Sequence, residues 1–548
     1  MRKAPFLRRS TLVVLLAFGM FVLGAAFDRY RFFPYQLVRT AISEVNRQFI
    51  NSKEALSRQY SLDIDKVAQD RDIDTILLPL KIKGVRISEH YPAPKVGGGI
   101  TAIGNTIIVL DRLGNIYSCD SGGDNLKKLP FPELPNNIAD YLAQLDAVVD
   151  DKRFRAYNIK YLDFAKLLAV SHEYFDKQNN KSRIAVSVIG FDEKLLQPTG
   201  SWETIFVGDL EPEGPNENAG GILAAQSPDK IYLSVGAYGI EDPRVSQDVN
   251  SKMGKILEIK LDTGKVKMMS LGHRTPEGLI MTTSGTLLST EHGPAGGDEL
   301  NRIVEGANYG WPIVTLGTGY RSYGWQDTEF VGKHAGYQAP IFAWVPSVAV
   351  SSLLEVKGFD RRWDGDLLVA SLKGQSLFRL RLDGTSVLYS EPIWIGRRIR
   401  DTAQMQDGTI VLWTDDTELQ FISVDRQRLE HNERNPNVSS TLVGSCMYCH
   451  HFGPTNATDF APSLTNVVGR KIGSDNFRYS AALRTKEGVW TEKSLRDFVS
   501  NPDAFATGTS MPNLHLSQDQ LDDVLRDLKN NTAASRATRE IQNQGLNR

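Results

Sequence analysis

Cysteine is nearly absent, with three in 548 residues. That excludes a small disulfide-held scaffold, which needs dense, even-numbered cysteines. An excess of charge of one sign is absent too. Sixty-three Lys and Arg stand against 65 Asp and Glu, a net charge of −2, which argues against a nucleic-acid binder. What is present suits a folded chain. Apolar residues make up 41% and charged residues 23%, so most of the chain should bury real cores, and its length allows two to four domains. Cys119 stands alone and reads as a small core residue in a strand.

The other two cysteines fall in Cys446-Met447-Tyr448-Cys449-His450, the most specific stretch of the chain. Two cysteines two residues apart, followed at once by histidine, form the attachment signature of a covalent c-type haem. Each sulfur adds to one vinyl group of the porphyrin, and His450 is then held beneath the iron. A redox Cys-x-x-Cys pair would not need His450. A zinc site would need a second ligand pair, and only His451 and His515 are candidates for it. Downstream, Met511 sits in Thr507-Gly508-Thr509-Ser510-Met511-Pro512-Asn513, a constrained loop suited to offer a thioether as sixth ligand. From Val443 to Lys529 the chain resembles class I cytochrome c of the mitochondrial type. The matching pieces are Gly444-x-Cys446-x-x-Cys449-His450, Ala461-Pro462-Ser463-Leu464, Val468-Gly469-Arg470-Lys471, Phe477-x-Tyr479-Ser480-x-Ala482-Leu483, Trp490, and Asn501-Pro502 leading to Met511-Pro512. The resemblance implies His450 and Met511 as axial ligands of the haem iron. Leu516, Leu521, Val524, Leu525 and Leu528 have helical spacing and predict a closing helix.

At the other end, Arg2, Lys3, Arg8 and Arg9 precede an uncharged run from Ser10 to Phe27. Basic residues before an apolar run hold that end in the cytoplasm and send the remainder across the membrane. The run is about the minimum for a spanning helix and long for a signal peptide. It reads as a single-pass anchor, with cleavage after Gly24-Ala25-Ala26 as the alternative. Either places the body in the periplasm, which agrees with haem attachment after export.

Residues 28–75 read as a helical stalk, with Leu37, Ile42, Val45 and Phe49 at helix spacing. From 76 to 425 short apolar runs alternate with turn signals such as Ser227-Pro228-Asp229-Lys230, Thr283-Ser284-Gly285-Thr286 and Gln406-Asp407-Gly408-Thr409. Units of roughly fifty to sixty residues without helices predict an all-β, six-bladed propeller; a pair of β-sandwiches is the alternative.

One section is more specific. Gly272-His273-Arg274-Thr275-Pro276-Glu277-Gly278-Leu279, Glu291-His292-Gly293-Pro294-Ala295-Gly296-Gly297-Asp298-Glu299-Leu300-Asn301 and Asn308-Tyr309-Gly310-Trp311-Pro312 resemble the glucose/sorbosone dehydrogenase family of six-bladed propellers. Ser371-Leu372-Lys373, Arg398-Ile399-Arg400-Asp401, Gln406-Asp407-Gly408 and Thr414-Asp415 extend the match. The family's cofactor is pyrroloquinoline quinone (PQQ), a tricarboxylate bound with Ca²⁺. By resemblance Arg274, Lys373, Arg398 and Arg400 contact it, and the Gly293 and Pro294 carbonyls hold Ca²⁺. Arginine forks suit carboxylates, and calcium prefers hard oxygen ligands. The chain departs from the family at Asn218, Thr275 and Glu277, and the family's early Glu/Gln-Gly-Gly-Leu segment has no clear match. Asn218, in Asn216-Glu217-Asn218-Ala219-Gly220-Gly221, stands where the catalytic histidine belongs, and an amide takes no proton at neutral pH. Glu217 is a conceivable base one residue away, but adjacent strand residues face opposite ways. Thr275 and Glu277 replace an Asn and, in most members, a Gln.

The expected order is therefore an anchor (1–27), a stalk (28–75), a propeller (76–425), a linker (426–440), a small all-α cytochrome c domain (441–530) and a polar tail (531–548). Two functions fit it. A quinohaemoprotein would oxidise an aldose or alcohol at the propeller and pass electrons singly through haem to a cytochrome or oxidase. Alternatively, an inactive propeller would dock a tethered electron carrier.

Overall fold

The computed structural model describes residues 62–67, 70–89, 97–123, 125–144, 154–211, 220–237, 242–319, 328–384, 386–434, 446, 450, 461–474, 477, 479–509, 511, 514 and 516–530. Six antiparallel sheets follow one another along the chain. Blade one takes strands from Gly99–Ile103 to Leu126–Lys128, blade two from Ala156–Leu162 to Glu203–Val207, and blade three from Gly220–Ser227 to Val266–Leu271. Blade four runs from Pro276–Met281 to Phe342–Trp344 and blade five from Val350–Glu355 to Ser386–Trp394. Blade six needs both ends of the domain. Ile399–Gln404, Ile410–Thr414 and Glu418–Val424 are joined by Pro79–Glu89 from the N-terminal side, with Leu80 opposite Val424 and Arg86 opposite Glu418. Leu80 and Ile82 are buried while Lys81 is exposed and Lys83 half-buried, the period of two that a strand requires.

Side-chain hydrogen bonds stitch neighbouring blades into a ring. Leu223 N donates to Asn158 Oδ1 (3.2 Å), Ser234 Oγ to Pro276 O (3.1 Å), and Thr290 Oγ1 to Ser351 O (2.6 Å). Ser351 Oγ donates to Ile399 O (2.7 Å). Asp401 completes the circle, accepting from Ile100 N (2.9 Å), Asn158 Nδ2 (3.2 Å) and Ser352 Oγ (2.9 Å). Gly99 permits that approach, since a Cβ there would lie 2.7 Å from Asp401 Oδ2. Between blades, apolar clusters fill the junctions: Ile100, Ile107 and Trp413 join one to six, and Leu288, Val350 and Val369 join four to five. This burial is the main driving force for the ring.

His172 is fully buried in blade two, its Nδ1 donating to Glu173 O (2.7 Å) and its Nε2 accepting from Ser187 Oγ (2.9 Å). Burial lowers its pKa from 6.5 to about 4. The unfolded chain therefore binds a proton that the folded chain refuses across that window, so stability falls as pH drops from 6.5 to about 4. His172→Gln should flatten that part of the stability–pH curve, which amounts to up to about 3 kcal/mol. Denaturant melts at a series of pH values measure it.

Among the C-terminal helices, Glu492–Ser500 opens on a capping box between Thr491 and Ser494. Trp490 packs against Phe498 and Phe505. In Gln518–Asn530, Leu521, Val524, Leu525 and Leu528 are buried at the expected helical spacing, and Leu516 packs against the same cluster.

Two expected boundaries change. Residues 62–75 do not continue a helical stalk: Leu62–Val67 and Arg71–Asp74 are strands laid antiparallel on Pro79–Glu89. Their local alternation, Leu62-Asp63-Ile64-Asp65 and Arg71-Asp72-Ile73-Asp74, matches a sheet edge, so the propeller begins before residue 76. The segment expected as linker begins as a helix, Arg426–Arg434, tied down by Arg426 to Asp360 (2.7 Å) and Arg428 to Asp74 (2.6 Å). The anchor at 1–27 and the rest of the stalk lie outside the described residues. Among the described residues no helix is long and apolar enough to cross a membrane.

Candidate functional site

Antiparallel register puts the start of each blade's first strand opposite the end of its second. Gly220 pairs with Val235, Pro276 with Glu291, Val350 with Ser371 and Ile399 with Thr414. Residues just before the first strand and just after the second therefore share one rim. Arg274, Arg398 and Arg400 occupy the first kind of position, or the first turn of that strand. Gly293, Pro294, Lys373 and Asp415 occupy the second. Blades four, five and six thus bring cations separated by more than a hundred residues to one face.

Arg274 is buried, with its guanidinium 5.2 Å from the Trp311 ring and Nη1 donating to His292 O (3.3 Å). Its backbone N–H donates to Glu291, whose other oxygen accepts from His273 Nδ1 (2.9 Å). His273 stacks on Tyr309 with ring centroids 4.6 Å apart. Gly293 is held by Asp298, which accepts its N–H (3.0 Å) together with Ser347 Oγ (2.8 Å) and Ala349 N (2.6 Å). A Cβ at Gly293 would lie 2.1 Å from Gly296 O, so only glycine allows this turn, which crowds backbone carbonyls at its tip.

Arg398 Nε and Arg400 Nε bind the two oxygens of Asp415, at 2.8 and 2.6 Å. Burial would raise the Asp415 carboxyl, but the two arginines outweigh it and hold it below the ordinary carboxylate range. Burial likewise opposes charge on Arg400, and Asp415 followed by Glu277 outweighs that, raising its pKa. The negative charge of Glu277 thus favours the Arg400 cation. Thr275 is buried, and Lys373 is exposed at the rim. Asn218 and Glu217 lie outside the described residues. Asp415 and Asp298, which position the cations and the glycine turn, carry no local signal beyond their place in the motifs. A second polar group sits on the rim of blades two and three: Tyr157 Oη donates to Glu173 (2.5 Å), with Glu211 alongside. These three residues are remote in sequence and no motif links them.

The haem motif is built from local geometry. His450 N donates to Cys446 O (2.7 Å), a helical turn that sets both side chains on one face. His450 Nδ1 donates to Pro462 O (2.7 Å). That bond assigns the proton to Nδ1 and leaves Nε2 as an electron-pair donor, the arrangement of a metal-ligating histidine. Met511 is half-buried against the apolar cluster that holds Val467, Ile472, Trp490 and Leu525. Cys449, His451 and His515 lie outside the described residues. His450, with its proton on Nδ1, suits a haem iron, and the cationic rim with its carbonyl turn suits a polycarboxylate and a hard cation.

The Glucose / Sorbosone dehydrogenase family matches residues 99–423. The chain is 30% identical over 282 residues to the aldose sugar dehydrogenase YliI of Escherichia coli, covering 48% of this chain and 74% of that protein. Its C-terminal part is 34% identical over 98 residues to a cytochrome c homolog of Rickettsia typhi, covering 18% of this chain and 56% of that protein. The chain thus spans little more than half the length of that cytochrome relative. The crystal structure of the soluble aldose sugar dehydrogenase from Escherichia coli in the apo form superposes with a TM-score of 0.52 at 21% identity, covering 67% of this chain and 99% of that one, a likeness of fold. With the family match spanning more than half of its length and all six blades in place, the chain belongs to the glucose/sorbosone dehydrogenase family, carrying a cytochrome c-like segment at its C-terminal end.

Proposed function

We propose that the protein is a quinohaemoprotein that oxidises an aldose or a related alcohol at the propeller rim and passes the electrons through one covalent haem c. The bond from His450 to the Pro462 carbonyl carries this reading most directly, since it poses Nε2 for iron one turn from Cys446. Cys446 and Cys449 would hold the porphyrin, and His450 and Met511 would be the axial ligands. PQQ, when bound, supplies a two-electron acceptor for a hydride from the sugar carbon. Arg274, Lys373, Arg398 and Arg400 would pair with its carboxylates, and the Gly293 and Pro294 carbonyls would hold Ca²⁺. A two-electron site needs a one-electron outlet, which a tethered cytochrome provides to a downstream cytochrome or oxidase. Two similar proteins, the aldose sugar dehydrogenase above and the quinoprotein glucose dehydrogenase B of Acinetobacter calcoaceticus, support the chemistry by their names. Export to the periplasm, with residues 10–27 as anchor, follows from the basic end and the uncharged run.

Purified protein should show a c-type pyridine haemochrome that survives acid-acetone extraction. With PQQ and Ca²⁺ added, sugars should reduce the haem. A haem that extracts freely ends the cytochrome reading. Intact haem that no sugar reduces, with no PQQ bound, favours a docking propeller instead.

A further inference from the structure

The rim of blades two and three holds a buried acid group that the cationic site does not use. Tyr157 lies in the first strand of blade two, and Glu173 N donates to Arg155 O (2.9 Å), so Glu173 stands at the same rim. Tyr157 Oη donates to Glu173 Oε1 at 2.5 Å. Glu173 is 1% exposed and Glu211, beside it, 5%. Glu173 Oε2 is buried and accepts no N–H or O–H from the described residues. Burial, and then the charge of Glu211, push the Glu173 carboxyl well above its ordinary range, so it holds a proton more readily than an exposed carboxylate.

Tyr157 and Glu211 line a narrow pocket with Asp209, Lys252, Gly220 and Gly236, with room for about one water. The Tyr157 ring lies directly on Gly221, where a Cβ would come within 2.7 Å of Cγ. Gly220-Gly221 begins the first strand of blade three, on the rim that carries Arg274 and Arg400.

On the sugar-dehydrogenase reading above, we propose that Tyr157, backed by Glu173 and Glu211, is the proton acceptor for the substrate hydroxyl. As the carbon–hydrogen pair of electrons leaves as hydride for a bound o-quinone, the substrate O–H bond breaks. Its proton passes to Tyr157 Oη, and the phenol proton passes to Glu173. The alcohol carbon becomes a carbonyl and the quinone is reduced by two electrons. Burial, then Glu211, pushes the Glu173 carboxyl well above its ordinary value, which makes it a strong acceptor once ionised. Burial and Glu173 raise the Tyr157 phenol as well. Arg155, stacked 5.1 Å from the Tyr157 ring, opposes both shifts. Lys252 is paired with Asp209 (2.9 Å), and His172, the next residue on the strand, is neutral through burial at ordinary pH. Because Glu173 accepts only when ionised, turnover should climb as pH rises through its raised pKa.

Two isosteric variants test the step, Tyr157→Phe and Glu173→Gln. In PQQ-loaded protein each should lower kcat for sugar-dependent haem reduction tenfold or more with KM and PQQ titration unchanged, a share of the roughly 10² to 10⁴ that positioned acid–base groups contribute. Glu173→Gln should also erase the acid limb of the pH–rate profile. Independently of the quinone, infrared titration of the quinone-free chain should show a buried protonated-carboxyl band that persists above the ordinary carboxylate range and that Glu173→Gln removes. Unmodified protein that turns over while both variants keep its rate, or the absence of that band, overturns the proposal and leaves the enzyme reading standing. Unmodified protein that binds PQQ but never reduces its haem overturns both.

Discussion

Met511→Ala is expected to erase the weak near-infrared sulfur-to-iron band of the oxidised haem and to lower its reduction potential. Thioether ligation opposite histidine raises the potential, because a soft, neutral ligand favours Fe(II). Axial ligands command a span of roughly 0.8 V, so a drop on the order of 100 mV is a modest share of it. The position favours the role. Met511 N–H reaches Thr509 Oγ1 at 3.5 Å, the turn around Gly508 has a positive φ of 77°, and the side chain is half-buried against the apolar cluster of the C-terminal helices. Covalent attachment through Cys446 and Cys449 should survive, so the haemochrome spectrum stays c-type while the potential moves. Redox titration beside a near-infrared spectrum decides the matter. A band that persists in the variant assigns the sixth position to another residue, with His515 the next candidate.

Arg379→Met is expected to be the most damaging single change in the propeller. The side chain is fully buried in blade five. Its Nε reaches Glu391 at 2.7 Å and its Nη1 reaches Asp366 at 2.5 Å and Tyr389 Oη at 2.7 Å. The guanidinium also lies 5.1 Å from the Trp363 ring. Methionine fills much of the volume but leaves Glu391 without its cation, and Asp366 with Arg381 alone (2.8 Å). Stranding one partner of a buried ion pair costs about 3–5 kcal/mol. Glu391 also accepts from Ile76 N (2.5 Å), so the strain should reach the N-terminal segment that closes the ring. Arg426→Ala provides the contrast: that arginine is 59% exposed against Asp360, and its loss should cost about 0–1 kcal/mol. Denaturant unfolding followed by tryptophan fluorescence compares the two. Equal losses would show that Arg379 is replaceable by apolar packing.

The parts legible in the chain were those whose chemistry is local. Cys446, Cys449 and His450 need a fixed spacing, so a pentapeptide suffices to point to haem. Turn residues before short apolar runs announce blades, because a period of two and a tight turn are set by neighbouring residues. The helix at 518–530 follows from its apolar spacing for the same reason. Extrapolating helical spacing into residues 62–75 failed, since a strand at a sheet edge is decided by the partner it pairs with, here Pro79–Glu89. The linker composition of Arg426–Arg434 concealed a helix pinned by Asp360 and Asp74, two carboxylates far away in the chain.

By itself, then, the sequence determined the propeller class, the haem-type motif, and the cationic and glycine-rich segments that resemble a quinone site. Tertiary structure alone decided which residues meet. It closed blade six with a strand from the other end of the domain, placed Arg398 and Arg400 on the two oxygens of Asp415, and buried Arg379 between Glu391 and Asp366. It also set Tyr157 against Glu173 and Glu211. These pairings depend on strand register and on the order of blades around a ring. Both are properties of long-range packing, and residue spacing along the chain does not encode them.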